Sequence, residues 1–202
     1  MGRASKAQAA QHREHIVQIA ARLFRARGVE SVSIADVMAE AGLTTGGFYK
    51  QFASKEALID EAFALAFEQS SRSWTDATGH STGGPGQGLR SLIEHYFADR
   101  PAERNCPILS FSSAVSQLPG PSPAGQTYAT GTEELFRHFQ QTASSADREG
   151  GPEEIPEHQT LVLFAAMLGT GLMVKAMGRT PLVSEMQAAV LDALPNPSKD
   201  AK

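Results

Sequence analysis

Residues 33–55, SIADVMAEAGLTTGGFYKQFASK, constrain the fold of this chain more than any other stretch of its sequence. Ser33 and Asp36 stand three residues apart at the start of an apolar stripe, which is the spacing of a capping box at the beginning of a helix. Gly42 follows the stripe at a position where a residue free to adopt positive φ ends a helix. The segment therefore predicts a short helix followed by a glycine turn.

A second short helix is predicted over residues 45–52, with Thr44 as its N-cap. Ser54 is the predicted N-cap of a third helix that begins at Lys55. A helix, a tight turn and a short polar-faced helix form the arrangement that places side chains in the major groove of DNA. The pattern indicates a DNA-binding regulator.

The charge of the chain is distributed unevenly between its two ends. Residues 1–55 contain eight Lys and Arg against four Asp and Glu, whereas the remaining residues contain ten against eighteen. A basic head on an acidic body suits a protein that meets phosphate at one end only. Ordinary scatter of surface charge is the alternative interpretation of the same distribution.

The rest of the chain shows helical periodicity and no strict alternation of apolar and polar residues, so we expect an all-α fold. Four segments lack a helical pattern, namely a frayed arm at residues 1–11, a glycine-rich linker at 75–88, a loop at 147–156 and a tail after residue 194. The further helices are predicted over residues 12–27, 55–73, 89–99, 107–118, 126–146, 157–177 and 181–194.

Composition excludes several other classes of protein. The single cysteine excludes an internal disulfide framework and a cysteine-rich metal site, and it fits a reducing cytoplasm. The basic N-terminus has no apolar core, so it is not expected to be a secretory signal. The uncharged run at residues 161–174 is short for a membrane span and is interpreted as a buried helix, so no membrane partner is expected.

The first 60 residues or so resemble the TetR family of transcriptional regulators. The family pattern is present as AARLFRARG at residues 20–28 and as VSIADVMAEAGLTTGGFYKQFASKEAL at residues 32–58, whose FYxxFxSKExL ending is its most specific part. The resemblance implies an N-terminal three-helix helix-turn-helix DNA-binding domain over residues 1–55. It also implies a divergent helical domain over residues 56–202 that binds a small molecule and forms a homodimer through its last two long helices.

The residues expected to contact DNA lie in and beside the second helix of the motif. The hydroxyl of Tyr49 can bind a phosphate, and Lys50 can neutralise a phosphate or reach a guanine edge. Lys55 lies at a helix N-terminus, where free N–H groups favour phosphate, and the two glycines permit close approach of the backbone. The predicted set is Thr44, Thr45, Gly46, Gly47, Tyr49, Lys50 and Lys55.

Several neighbouring residues have other predicted roles. Phe48 and Phe52 are expected in the core. Arg3 and Lys6 could follow the DNA backbone or the minor groove as a flexible basic arm does. Arg13 is either a solvated charge or a phosphate contact. Gln51 stands where the family often has histidine, so a role of that histidine is not carried over.

A ligand pocket is expected to be lined by apolar and aromatic residues with few polar groups. The predicted ligand-binding residues, each of which could equally be plain core, are His95, Phe97, Cys106, Phe111, Phe164 and Met167. Cys106 lies at a predicted helix start near Arg104, and both features stabilise a thiolate. A thiol sensor acting through Cys106 is therefore one alternative, and a small buried apolar cysteine is the other.

The function predicted from the sequence is a homodimeric repressor that leaves operator DNA when an unidentified small-molecule inducer binds. The apolar run at residues 161–174 and the helix after Pro181 would form the dimer interface. The six histidines are scattered and no catalytic motif is present, so we expect no enzyme activity, no cofactor and no metal. A helical ligand-binding protein without DNA function is the alternative from another class.

Overall fold

The computed structural model describes residues 2–79, 87–118, 120–144 and 155–194. Within these ranges every regular element is helical, which confirms the predicted all-α fold. The elements are α1 (Gly2–Arg27), α2 (Ile34–Glu40), the 3₁₀ helix η1 (Thr45–Lys50), α3 (Lys55–Gly79), α4 (Gln87–Phe97), the 3₁₀ helix η2 (Ala102–Arg104), α5 (Pro107–Ser116), α6 (Pro123–Ser144), α7 (Glu157–Met177) and α8 (Pro181–Asp192).

The chain divides into two compact units. The first unit contains residues 1–70 and 100–132, and the second contains residues 71–99 and 133–202. Helices α3 and α6 contribute residues to both. The first unit thus contains the predicted DNA-binding domain together with the beginning of α3 and residues 100–132. The boundary of the DNA-binding domain at residue 55 stays a prediction.

Helix α1 begins ten residues earlier than expected. The sequence predicted a frayed arm before His12, whereas the helix starts at Gly2. Residues 7–11 are exposed and the first fully buried side chain among those described is Ile16, so tertiary packing does not hold residues 7–11. Alanine, glutamine and lysine in GRASKAQAAQ have high helix propensity, which accounts for the extra turns. Gly28 ends the helix with φ of +82°, as predicted.

Helix α3 continues into the predicted linker. Residues 75–79 are helical, and the Thr78 hydroxyl donates to the Trp74 carbonyl at 3.1 Å. Trp74 is only 3% exposed, and its burial stabilises the helical conformation of the polar residues 75–79 that follow it. Residues 80–86 of the predicted linker lie outside the described residues, as do residues 145–154 and the tail after Leu194, while Gln87 and Gly88 open α4.

The core of the first unit is aromatic. The rings of Phe63 and Phe111 are stacked with their centroids 4.0 Å apart, and Phe67 meets Phe111 and Tyr128 edge to face. A Cβ atom on Gly131 would lie 2.4 Å from the Phe67 ring. Glycine at this position therefore permits the close approach of α6 to α3.

Side chains close the helix ends of the second unit. Arg90 donates to the Leu191 carbonyl at the end of α8, and Arg179 donates to the Phe97 carbonyl at the end of α4, each at 3.0 Å. These guanidinium groups bind carbonyls that a helix terminus leaves without intrahelical partners. Helix α7 has the bounds expected from the sequence, and Gly178 follows it with φ of +71°.

Candidate nucleic-acid interface

Helix α2 begins with the capping box that the sequence predicted. The Asp36 amide donates to the Ser33 hydroxyl oxygen at 3.1 Å, and the Ser33 amide donates to the Asp36 carboxylate at 2.8 Å. The Ser33 hydroxyl also donates to the Asp36 carboxylate at 2.6 Å, and this bond, together with that from the Ser33 amide, holds the pKa of Asp36 below its usual value, because both stabilise the charged carboxylate. The start of the helix-turn-helix is thus fixed by local bonds.

The turn after α2 depends on Gly42, which has φ of +66°. The Leu43 amide donates to the Met38 carbonyl at 2.9 Å, and the Gly42 amide donates to the Ala39 carbonyl at 3.0 Å. Only glycine adopts this conformation without steric cost. The predicted role of Gly42 in ending the helix is confirmed.

The second helix of the motif differs from the expectation in form and in its cap. The sequence predicted a helix over residues 45–52, whereas the structure has the shorter 3₁₀ helix η1, Thr45–Lys50. Thr44 is the N-cap residue, as predicted, but its side chain makes no capping hydrogen bond. Two successive glycines disfavour α-helix, and the Gly47 amide instead donates to the Thr44 carbonyl at 2.9 Å in a tighter turn.

Three aromatic residues of this segment separate into a buried pair and an exposed ring. Phe48 and Phe52 are 0% and 3% exposed and stack at 5.3 Å, which confirms their predicted place in the core. Tyr49 is 68% exposed and meets Phe48 edge to face at 5.1 Å. The segment is therefore held from inside by two rings and presents the third to its surroundings.

The remaining residues predicted to contact DNA in this segment are mostly exposed. Thr44, Thr45, Gly46 and Lys50 are exposed, and Gly47 is half-buried. Hydroxyls, a phenol and an ammonium group on such a surface are suited to phosphate oxygens and base edges. The structure thus brings six of the seven predicted DNA-binding residues onto η1 and its N-cap.

Lys55 lies apart from these six, at the start of α3. Its ammonium donates to the Val29 carbonyl at 3.2 Å, and the side chain is half-buried. Ser54 caps this helix as predicted, since its hydroxyl accepts from the Ala57 amide at 3.2 Å. Lys55 thus links the third helix to the connector after α1, and an ammonium group keeps two further donors for a phosphate.

Arg13 has an internal role that the sequence did not reveal. Its guanidinium donates to the Gln51 carbonyl, pairs with the Glu61 carboxylate and lies 4.2 Å from the centroid of the Phe52 ring. The interpretation as a merely solvated charge is wrong, whereas a phosphate contact stays a prediction. Through its contacts with Gln51 and Phe52, Arg13 connects α1 to the end of the helix-turn-helix. The side chains of Arg3 and Lys6 lie outside the described part of the structure.

Arg25, near the other end of α1, is a buried cation that sequence reasoning also missed. It is 5% exposed and donates to the Asn105 carbonyl at 2.7 Å, to the Gln69 side chain at 3.2 Å and to the Ser70 hydroxyl at 3.4 Å. Burial among neutral partners lowers its pKa to about 10. Its periodic position between Leu23 and Ala26 carried no hint of these partners, which are 44 to 80 residues away.

The predicted ligand-binding residues are divided between the two units. Cys106 and Phe111 belong to the first, and the other four to the second. In the second unit the His95 ring nitrogen lies 2.8 Å from the Ser73 hydroxyl, and Phe164 meets Phe139 edge to face. The side chains of Phe97, Phe111, Phe164 and Met167 are buried. These residues remain predicted ligand contacts.

Cys106 is the half-buried N-cap residue of α5. Negative charge on its thiolate raises the pKa of Arg25, against the larger lowering that burial causes. Burial raises the pKa of Tyr128, and the Cys106 charge raises it further. The thiol therefore lies within electrostatic reach of a buried guanidinium and a phenol.

Residues 16–62 match the family described as bacterial regulatory proteins, tetR family. The HTH-type transcriptional regulator AcrR of Shigella flexneri is 32% identical over 95 residues, which cover 47% of this chain and 44% of that protein. The HTH-type transcriptional repressor KstR2 of Mycolicibacterium smegmatis is 35% identical over 54 residues, which cover 27% of this chain and 26% of that protein. The matched part thus spans less than half the length of these relatives.

Solved structures share the fold over nearly the whole chain. Reduced NemR of E. coli aligns with a TM-score of 0.76 at 20% identity, covering 93% of this chain and 99% of that one. A TetR regulator of Chloroflexus aurantiacus aligns with a TM-score of 0.76 at 23% identity, covering 92% and 94%. A regulator described as putative, from Saccharomonospora viridis in complex with choline, aligns with a TM-score of 0.75 at 18% identity, covering 93% and 100%.

Proposed function

From the membership of its N-terminal helices in the TetR family of transcriptional regulators, we propose that this chain is a repressor that binds operator DNA as a homodimer and is released by a small molecule. The observation that carries the proposal is the exposed surface of η1, where Tyr49 and Lys50 stand out from a segment anchored by Phe48 and Phe52. A rigid segment with exposed polar tips is what groove recognition requires.

A salt series tests DNA binding directly. The full chain is mixed with labelled DNA from upstream of its own coding sequence and with scrambled DNA, and affinity is measured by gel shift. We expect preference for the upstream DNA and a linear fall of log affinity with log salt, because Lys and Arg displace counterions from phosphates. Binding without sequence preference, or no binding at low salt, contradicts the proposal.

Helices α7 and α8 supply the surface that we propose for the homodimer. Each carries large apolar side chains that are about half exposed or more, namely Leu161, Val162, Leu172, Met177 and Leu182. By length and composition alone α7 could cross a membrane. A second copy of the chain accounts for its apolar outer face equally well, since a protein that binds DNA half-sites is commonly a two-fold dimer.

The dimer proposal can be tested at Val162, which is 64% exposed. A Val162→Glu variant should elute as a monomer in size exclusion with light scattering and should retain its helical circular dichroism, because the charge lies on the surface of each protomer. Arg137→Ala, a change at an exposed site on α6, is the control. A wild-type monomer at micromolar concentration contradicts the proposal.

The inducer is proposed to bind among the predicted ligand residues of the second unit, which are His95, Phe97, Phe164 and Met167. The Saccharomonospora viridis relative was crystallised with choline, which makes a small organic molecule a reasonable class of ligand to screen. Compounds that raise the melting temperature of the chain are then tested for release of DNA. A compound that stabilises the protein and releases DNA should lose its effect in a Met167→Ala variant, provided that this variant folds.

A thiol sensor is the second candidate, favoured by the half-buried position of Cys106 at the start of α5 and by its electrostatic attraction to the buried Arg25 guanidinium. Modification of a half-buried thiolate beside a buried guanidinium would remove the charge that Arg25 faces. Thiol-reactive compounds should then release DNA from the wild-type chain but not from Cys106→Ser. Release from both proteins excludes the sensor and leaves the ligand-controlled repressor intact.

A further inference from the structure

The surface of η1 can be divided into three columns by its helical period. A 3₁₀ helix has three residues per turn, so that residues i and i+3 lie on the same side. Gly46 therefore shares a side with Tyr49, and Gly47 shares another with Lys50. The third column ends in the buried Phe48. The column formed by Gly46 and Tyr49 is exposed along its length.

Neither the backbone nor the neighbouring side chains of η1 explain why position 46 is glycine. Its φ lies outside the left-handed region, unlike that of Gly42, so its conformation is open to any residue. A Cβ atom at Gly46 would meet nothing within 4 Å, unlike one at Gly131, which would meet the Phe67 ring. Neither backbone conformation nor packing requires glycine at position 46, and the space above it is open to the close approach of a partner.

The side chains of residues 44–50 indicate which groups of a DNA partner this segment can contact. Residues 44–50 have the sequence TTGGFYK, which contains no Arg, Asn or Gln. Bidentate hydrogen bonds to purine edges come from Arg, Lys, Asn and Gln, so Lys50 is the one side chain of this segment that can make them. The exposed apolar groups are the methyls of Thr44 and Thr45 and the Tyr49 ring. In the major groove, the C5-methyl of thymine is the base group that such apolar atoms contact.

We propose that η1 distinguishes DNA sequences chiefly by apolar contact with thymine C5-methyl groups, and that Gly46 supplies the clearance that brings the Tyr49 ring and the threonine methyls close to them. This inference rests on the proposed DNA-binding function and specifies how the same surface selects its site. Hydrogen bonds from Lys50 and phosphate contacts then fix orientation and contribute affinity that depends little on sequence.

Replacing thymine by deoxyuridine tests the inference without altering the protein. Preferred sites are first selected from randomised duplexes with the full wild-type chain, and each thymine is then replaced singly. The replacement removes one methyl group and keeps every hydrogen-bonding group of the base pair. Burial of one methyl corresponds to a change of about threefold to fivefold in affinity. We expect a loss of this size at one or more thymines in each half-site, with an unchanged salt slope.

The outcomes separate the inference from the function on which it rests. If every uracil duplex binds within the experimental error of its thymine parent, or if the selected half-sites share no thymine, the methyl contacts do not exist while DNA binding stands. If the wild-type chain selects no sequence at all from the pool, the proposed function itself fails.

A Gly46→Ala variant tests the clearance. Alanine is a better helix former, so the melting temperature should be unchanged or higher, whereas affinity for the selected site should fall by about tenfold or more. Gly79→Ala is the matched control, because its Cβ also meets nothing within 4 Å and it lies at the far end of α3. Wild-type affinity in Gly46→Ala overturns the clearance, and the uracil series remains decisive should this variant be unstable.

Discussion

The exposed segment at residues 44–50 and the aromatic interior around Phe111 belong to the same compact unit, and glycine serves opposite purposes in them. At Gly46 an added Cβ would meet nothing, whereas at Gly131 it would lie 2.4 Å from the Phe67 ring. The exposed segment leaves space for a partner molecule, whereas the aromatic interior has no space for an added methyl group. Substitutions at the exposed positions of the first should therefore change binding, and substitutions in the second should change stability.

The largest effect on stability is expected from Phe111→Ala. The ring is fully buried and stacks on Phe63 with a centroid separation of 4.0 Å. Its removal should lower the free energy of unfolding by about 3–5 kcal/mol, through lost transfer free energy and a residual cavity. Urea unfolding followed by circular dichroism measures this as a lower midpoint. A loss below 1 kcal/mol would mean that the interior has spare room, as a ligand pocket does.

A smaller loss is expected from Gly131→Ala. The added methyl must displace the Phe67 ring, which is 5% exposed and held against Phe111 and Tyr128. Overpacking of this kind costs about 1–3 kcal/mol, against a gain in helix propensity near 1 kcal/mol. Thermal unfolding should show a lower midpoint. In the double variant Phe67→Leu with Gly131→Ala the clash is relieved, and additive losses would disprove this explanation.

An intermediate loss of stability is expected from Ser33→Ala. This change removes the capping bonds of the Ser33 hydroxyl at the start of α2 and leaves the exposed residues 44–50 unaltered. Loss of the N-cap should lower stability by about 1 kcal/mol at neutral pH. The pKa of Asp36 is depressed in the folded chain, so its bonds to Ser33 contribute above the usual value of 3.8 and are lost as pH falls through the folded pKa. The difference between variant and wild type should therefore shrink in unfolding curves below pH 4.

The smallest effect on stability is expected from Lys50→Ala, which should leave the melting temperature within error because the side chain is exposed. Operator affinity should fall, and the slope of log affinity against log salt should become less steep by about one. Arg137→Ala, exposed on α6, is the control and should change neither quantity. An unchanged salt slope in Lys50→Ala would place this ammonium away from phosphate.

The sequence predicted best the features that depend on neighbours in the chain. The capping box of Ser33 and Asp36, the positive φ of Gly42 and the bounds of α7 all follow from residues within one or two turns. The buried and exposed sides of the short motif were also predicted, because Phe48 and Tyr49 belong to a specific family pattern.

The errors arise where structure depends on distant residues or on weak local preferences. Arg13 and Arg25 were misjudged or missed because their partners are between 38 and 80 residues away, and periodicity carries no information about them. The 3₁₀ form of η1 and the missing side-chain hydrogen bond of Thr44 reflect two glycines whose preferences fit several turn types. The extension of α3 to Gly79 depends on the buried Trp74, which no pattern of small polar residues predicts.

The neutral hydrogen-bond partners of Arg25 have a practical consequence for handling the protein. Its hydrogen bonds go to a carbonyl, an amide and a hydroxyl in a buried site, and such bonds are little weakened by dissolved ions. Contacts between lysine and phosphate are weakened steeply by the same ions. A wash with concentrated salt should therefore remove nucleic acid from this chain during purification, while Arg25 near the C-terminal end of α1 keeps its hydrogen bonds to Asn105, Gln69 and Ser70.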